Sequence, residues 1–86
     1  MAKLKANQRE IFSRRGRKVI VDISDGACIL FGFKHRDKII HPAFGKFIVS
    51  GVGSDFSGTD VLWLFKKGKD RASFLSPGDL KKSRII

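Results

Sequence analysis

The chain has 86 residues, a single cysteine and a formal net charge of +10. A domain this small buries only about 60% of its unfolded surface, which excludes a second core and a deep substrate cleft. Cys28 alone excludes an internal disulfide, and no apolar run approaches the roughly 18 residues of a membrane span, so a monomer inside the cell, off the membrane, is expected.

Residues 1–17 show no strand alternation, and Leu4, Ile11 and Phe12 are spaced so that all three could share one helical face. A lone helix of this length is marginal in water, so the segment is expected to be a flexible basic arm, disordered or briefly helical. Charge is concentrated there: residues 1–18 carry +6, residues 80–86 carry +3, and everything between sums to +1.

A domain boundary is placed at Lys18, and residues 18–86 read as one folded unit. Val19, Val21 and Ile23 alternate as a strand, and Ser24-Asp25-Gly26 supplies turn chemistry. Ala27 to Lys34 then reads as a second strand with Ile29, Phe31 and Phe33 on one face. After the polar break at Lys34-His35-Arg36-Asp37 comes a strand from Lys38 to His41. It ends at Pro42, which cannot donate a ladder hydrogen bond. Phe44 and Gly45 complete a corner before the next strand, Lys46 to Val52.

Gly51, Gly53 and Gly58 frame a loop that presents Phe56. From Asp60 to Phe65 the chain is most apolar, with Val61, Trp63 and Phe65 facing one way and Leu62 and Leu64 the other, so both faces should be covered. Lys66-Lys67-Gly68-Lys69-Asp70 is a turn. Arg71 to Ser76 is a strand, Ser76-Pro77-Gly78-Asp79 a turn, and Leu80 to Ile86 a short closing strand. Five or six short antiparallel strands with turn signals between them predict an all-β barrel or sandwich, and closure into a barrel would remove exposed edges.

Asp37, Ile39, His41-Pro42, Phe44-Gly45 and Val49, followed by Leu62, Phe65, Gly68 and Leu80-Lys81, form a pattern over about half the chain. It resembles a small SH3-like or Tudor-like barrel. The similarity is to the C-terminal Tudor-like domain of bacterial DNA-repair helicases and, more loosely, to the polymerase-interaction domain of CarD-type transcription factors. In Gly45-Lys46-Phe47 a large ring replaces the second Gly common in those families. The resemblance implies a non-catalytic barrel that docks on RNA polymerase, with weak nucleic-acid contacts in some relatives.

Other chemistry fits the residues less well. Gly53 to Thr59 has glycine spacing like a phosphate loop, but it lacks the Lys and the following helix. Cys28, His35 and His41 are too few, and wrongly spaced, for a closed zinc site. A thiol in an apolar strand is usually inert, so neither an enzyme nor a cofactor is expected. Phe31, Phe33, Phe47, Trp63, Phe65 and Phe74 lie in strand patterns and are expected in the core.

Two functions remain open. In the first, a non-catalytic module docks on a protein or nucleoprotein partner through Phe44, Phe56 and the sheet edge at His41, steered by its basic arm. In the second, RNA or DNA is bound directly and with low specificity. The binding cations would be Lys3, Lys5, Arg9, Arg14, Arg15, Arg17, Lys18, Lys66, Lys67, Lys69, Lys81, Lys82 and Arg84.

Overall fold

Strands over 38–41, 45–54 and 60–66 form the centre of the fold, where the sequence leads one to expect strands over 38–41, 46–52 and 60–65. The structure is a computed structural model that describes residues 4–66 and 68–86. It is all-β and mostly antiparallel, with seven strands and two short helices among the described residues. The strands are β1 (Gln8–Phe12), β2 (Lys18–Asp22), β3 (Lys38–His41), β4 (Gly45–Ser54), β5 (Asp60–Lys66), β6 (Ala72–Phe74) and β7 (Arg84–Ile85). The helices are α1 (Asp25–Cys28), continued by a 3-10 turn at Ile29–Phe31, and α2 (Pro77–Lys82).

β4 is the organising strand. β5 lies along one edge of it from Phe47↔Lys66 to Ser54↔Asp60, while its other edge is shared between β3 (Lys38↔Ile48 to His41↔Gly45) and β2 (Asp22↔Val52). The change of partner coincides with a register shift between Val49 and Gly51, the kind of bulge that bends and twists a strand. His35 Nδ1 lies 2.6 Å from the Ser50 carbonyl at that bulge. Since a carbonyl only accepts, Nδ1 carries the proton.

Gly51 and Gly53 therefore lie inside β4 rather than in a loop, and backbone proximity is the reason. A Cβ on Gly51 would stand 2.5 Å from the Asp22 carbonyl oxygen, and one on Gly53 would stand 2.9 Å from that of Ile20. Only glycine lets β2 cross so close.

Residues 8–12 correct the expectation of a disordered or helical arm. They pair with β2 from Gln8↔Asp22 to Phe12↔Lys18, with the turn closed at Gly16, φ 80°. Ser13 then bridges Ala72 in parallel. The pairings β1-β2-β4-β5-β6 thus return to the β1 end as a barrel-like ring. The folded unit begins before Lys18 because Ile11 has a buried place opposite Val19.

The 27–34 segment is also not a strand. The Ser24 side chain accepts from the Ala27 amide, capping α1, and Gly32 ends the 3-10 turn at φ 87°. Local capping outweighs the alternation of Ile29, Phe31 and Phe33: Phe33 is buried, but Leu30 is left 83% exposed. Near the end of the chain, Ser76 caps α2 with Pro77 in its first turn, which shortens the closing strand to Arg84–Ile85.

β5 is covered on both faces. Leu62 and Leu64 join Cys28, Phe33, Ile39, Phe47, Val49, Leu75 and Leu80 in the larger core. Val61 and Trp63 join Ile11, Val19, Val21 and Ala72 in the smaller one, inside the ring. Of the rings expected inside, Phe33, Phe47 and Trp63 are buried, Phe31 and Phe65 half-buried, and Phe74, on the three-residue strand β6, is exposed. No helix among the described residues is long and apolar enough to cross a membrane.

Candidate nucleic-acid interface

The β1–β2 turn and the β5–β6 connection each bring cations to one end of the ring. Ser13↔Ala72 ties their bases together. Arg71 extends across the first turn, where a Cβ on Gly16 would meet its Nη1 at 2.9 Å, and the same nitrogen lies 3.5 Å from the Arg14 carbonyl. Arg14, Lys66, Lys69 and Arg71 line a shallow groove of about 300 Å³, with Asp70 and Ser73 among them. Arg15 and Arg17 stand on the same β1–β2 connection as Arg14, Lys18 begins β2, and all three are exposed. Lys18 approaches Glu10 at 3.8 Å, a surface contact that is mostly solvated. Asp70 leaves the groove cationic on balance.

An aromatic side chain borders these cations. Phe56 is 54% exposed, and the Arg17 guanidinium lies 4.8 Å from its ring centroid. The loop that holds it is internally tied: Asp55 Oδ1 accepts from the Ser57 amide at 2.8 Å, the Ser57 hydroxyl at 2.6 Å and the Thr59 amide at 3.0 Å. The Ser57 hydroxyl, with the Thr59 amide, holds the Asp55 carboxyl below the usual carboxylate range. Beneath Phe56, Trp63 makes an edge contact at 6.3 Å and continues to Phe74 at 5.1 Å. An internally hydrogen-bonded loop thus presents the ring beside positive charge, the combination that stacks on bases in single-strand binders.

The remaining sequence-derived candidates are spread over the molecule. Lys5 and Arg9 lie at the opposite end of the β1–β2 hairpin, where the Arg9 guanidinium donates to the Ala6 and Gln8 carbonyls. Lys81, Lys82 and Arg84 line a different depression, beside Ile40 and Pro42. Lys3 and Lys67 lie outside the described residues. Arg71 was not singled out by the sequence, because nothing local marks its packing on a turn 57 residues before it.

His41 is not a surface anchor. Its side chain is 3% exposed, and both ring nitrogens are engaged. Nδ1 accepts from the Ala43 and Phe44 amides at 2.9 and 3.1 Å, so the proton sits on Nε2, 3.2 Å from Asp79 Oδ1. Asp79 in turn accepts from the Ser76 hydroxyl at the start of α2. The hydroxyl proton goes to the carboxylate rather than to the imidazole, so this chain of bonds joins the β3–β4 corner to α2 and does not activate a nucleophile. Phe44 remains outside, 47% exposed and stacked on His41 at 4.4 Å.

No family model matches this chain, and no curated protein matches it. Burial, then the nearby Asp22 and Asp25 carboxylates, push the Cys28 thiol above its ordinary range, which disfavours the reactive thiolate. Among the described residues, no group of three or more His, Cys, Asp or Glu could hold a metal ion.

Proposed function

We propose that this chain is a non-catalytic, low-specificity nucleic-acid-binding module that takes a phosphate backbone on the ring end built from the β1–β2 turn and the β5–β6 connection. One observation carries the reading: Arg14 and Arg71, far apart in sequence, pack into one cationic groove, and Arg17, on the same turn as Arg14, lies over an exposed Phe56. Guanidinium and ammonium groups neutralise phosphates without reading bases, and an adjoining ring adds sequence-tolerant stacking. The barrel-like ring is compatible with an SH3-like or Tudor-like barrel, and nucleic acid as ligand fits an intracellular setting.

A protein or nucleoprotein partner is the second reading. It is favoured by Phe44, whose half-exposed ring would serve as an apolar anchor at the corner.

The test is fluorescence anisotropy with labelled single- and double-stranded oligonucleotides across ionic strength. If about five phosphates are neutralised, log affinity falls against log salt with a slope of roughly −3.5 for single strands and −4.5 for duplex. The pair Lys69→Glu and Arg71→Glu should reduce both affinity and slope. No binding at low salt, or a slope indifferent to that pair, would overturn the assignment.

A further inference from the structure

A second surface, separate from the basic end, lies on the sheet formed by β7, β3 and the first half of β4. Strand alternation turns Ile39 and Phe47 into the larger core and leaves Lys38, Ile40, Lys46 and Ile48 on the opposite face. Register places Lys38 beside Ile48, and Ile40 between Lys46 and Arg84. Ile86 joins the same face, its amide donating to the Lys38 carbonyl at 2.9 Å. Cross-strand neighbours are about 5 Å apart, so isoleucines and cations interleave in both directions across three strands.

This face is unusual for the solvated side of an antiparallel sheet, which is normally polar. Ile40 is 41% exposed and Ile86 62%. It also carries charge of a single sign: β3, β7 and residues 45–48 of β4 hold no acidic side chain. Neither of the two depressions on it is lined by one, the first (about 310 Å³) including Lys38, Lys46 and Ile86 and the second (about 520 Å³) including Ile40 and Arg84. Asp37, beside Lys38, is committed to its own turn, where it accepts from the Lys34 amide. The cations therefore lack acidic partners on this face, and Ile40 and Ile86 lack apolar cover, while Ile48 is half-buried opposite Phe65.

We infer that this β7-β3-β4 face docks an acidic amphipathic segment of a protein partner, one that alternates carboxylates with aliphatic side chains. Charge complementarity selects the acidic half of that description, and burial of Ile40, Ile48 and Ile86 selects the apolar half. A nucleic acid fits less well, since none of the six interleaved side chains is aromatic and isoleucine offers bases nothing to stack on. A lipid surface fits less well too. The chain has no Tyr and its single Trp is buried, so the face lacks the aromatic anchors of a membrane interface. The reading reassigns Arg84 from phosphate contact to this face and does not depend on the function of the basic end.

The test uses the full ¹⁵N-labelled chain and four probes: a synthetic peptide alternating Glu with Leu and Val, an oligoglutamate of equal charge, a single-stranded oligonucleotide, and vesicles containing phosphatidylserine. The amphipathic peptide should shift the amide resonances of Lys38, Ile40, Lys46, Ile48 and Arg84. Lys46→Glu and Ile40→Thr should each weaken it about tenfold, while Lys69→Glu leaves it unchanged. Both substitutions are on the surface and keep strand-compatible side chains, so an unchanged circular dichroism spectrum shows that the fold is intact. Equal binding of oligoglutamate, or the same shifts produced by the oligonucleotide or the vesicles, would overturn the inference, as would a failure of the peptide to bind.

Discussion

Arg17 covers Phe56: its guanidinium carbon sits 4.8 Å from the ring centroid and links the β1–β2 turn to the β4–β5 loop. Both side chains are exposed, so the contact is worth about 0.5–1 kcal/mol in stability. Phe56→Ala should lower the melting temperature by about 2–8 °C and should weaken single-strand binding by about 1–3 kcal/mol if a base stacks there. Comparing anisotropy titrations of Phe56→Ala and Arg17→Ala checks this: a charge-only interface would be insensitive to the first and sensitive to the second.

Gly51 and Gly26 should respond in opposite directions to alanine. At Gly51 the new Cβ would fall 2.5 Å from the Asp22 carbonyl, which is backbone and cannot swing aside. The β2–β4 crossing must shift, at a cost of about 2–3 kcal/mol. Gly26 lies in α1 with nothing within 4 Å of its would-be Cβ, and Gly26→Ala should stabilise by about 0.5–1 kcal/mol through helix propensity and a less flexible unfolded chain. Urea denaturation of the two variants gives both numbers.

His41→Ala removes the joint between the β3–β4 corner and α2. The ring's two accepted amide bonds and its link to Asp79 are lost together, with a cavity left in a buried site. A loss of about 2–4 kcal/mol is expected. Amide exchange should rise first at Ala43, Phe44 and α2; uniform acceleration across the ring would show that the effect is not local.

Asp22 and Asp55 make the fold sensitive to acid. The Ser24 hydroxyl and amide lower the Asp22 carboxyl, and the Ser57 hydroxyl lowers that of Asp55. Each group binds protons more readily when unfolded than when folded. Its contribution is therefore complete above the ordinary carboxylate pKa of about 3.9 and is lost as pH falls through the lower folded value. Stability measured by urea midpoint should be flat near neutrality from these two groups and decline below about pH 4. Asp55→Asn should flatten part of that decline, and an unchanged acid limb would remove Asp55 as its source.

The sequence by itself determined the all-β class and the course of β3, β5 and the first part of β4, because their alternating, β-branched residues satisfy strand geometry wherever they are placed; that β4 runs on through Gly53 was decided by the close approach of β2. It also showed that β5 is buried on both faces and that the chain turns at His41-Pro42 and at Phe44-Gly45. β1 was not legible, since one inward Ile11 makes no period and its partner, Val19, appears only on pairing. α1 was hidden behind the spacing of Ile29, Phe31 and Phe33, which the Ser24 cap and Gly32 overrule locally. Charge arithmetic located cations at the chain ends. Only the tertiary structure decided which of them lie together, because closing the ring at Ser13 and Ala72 sets Arg71 against Gly16 and sends Lys5 and Arg9 to the opposite end of the hairpin.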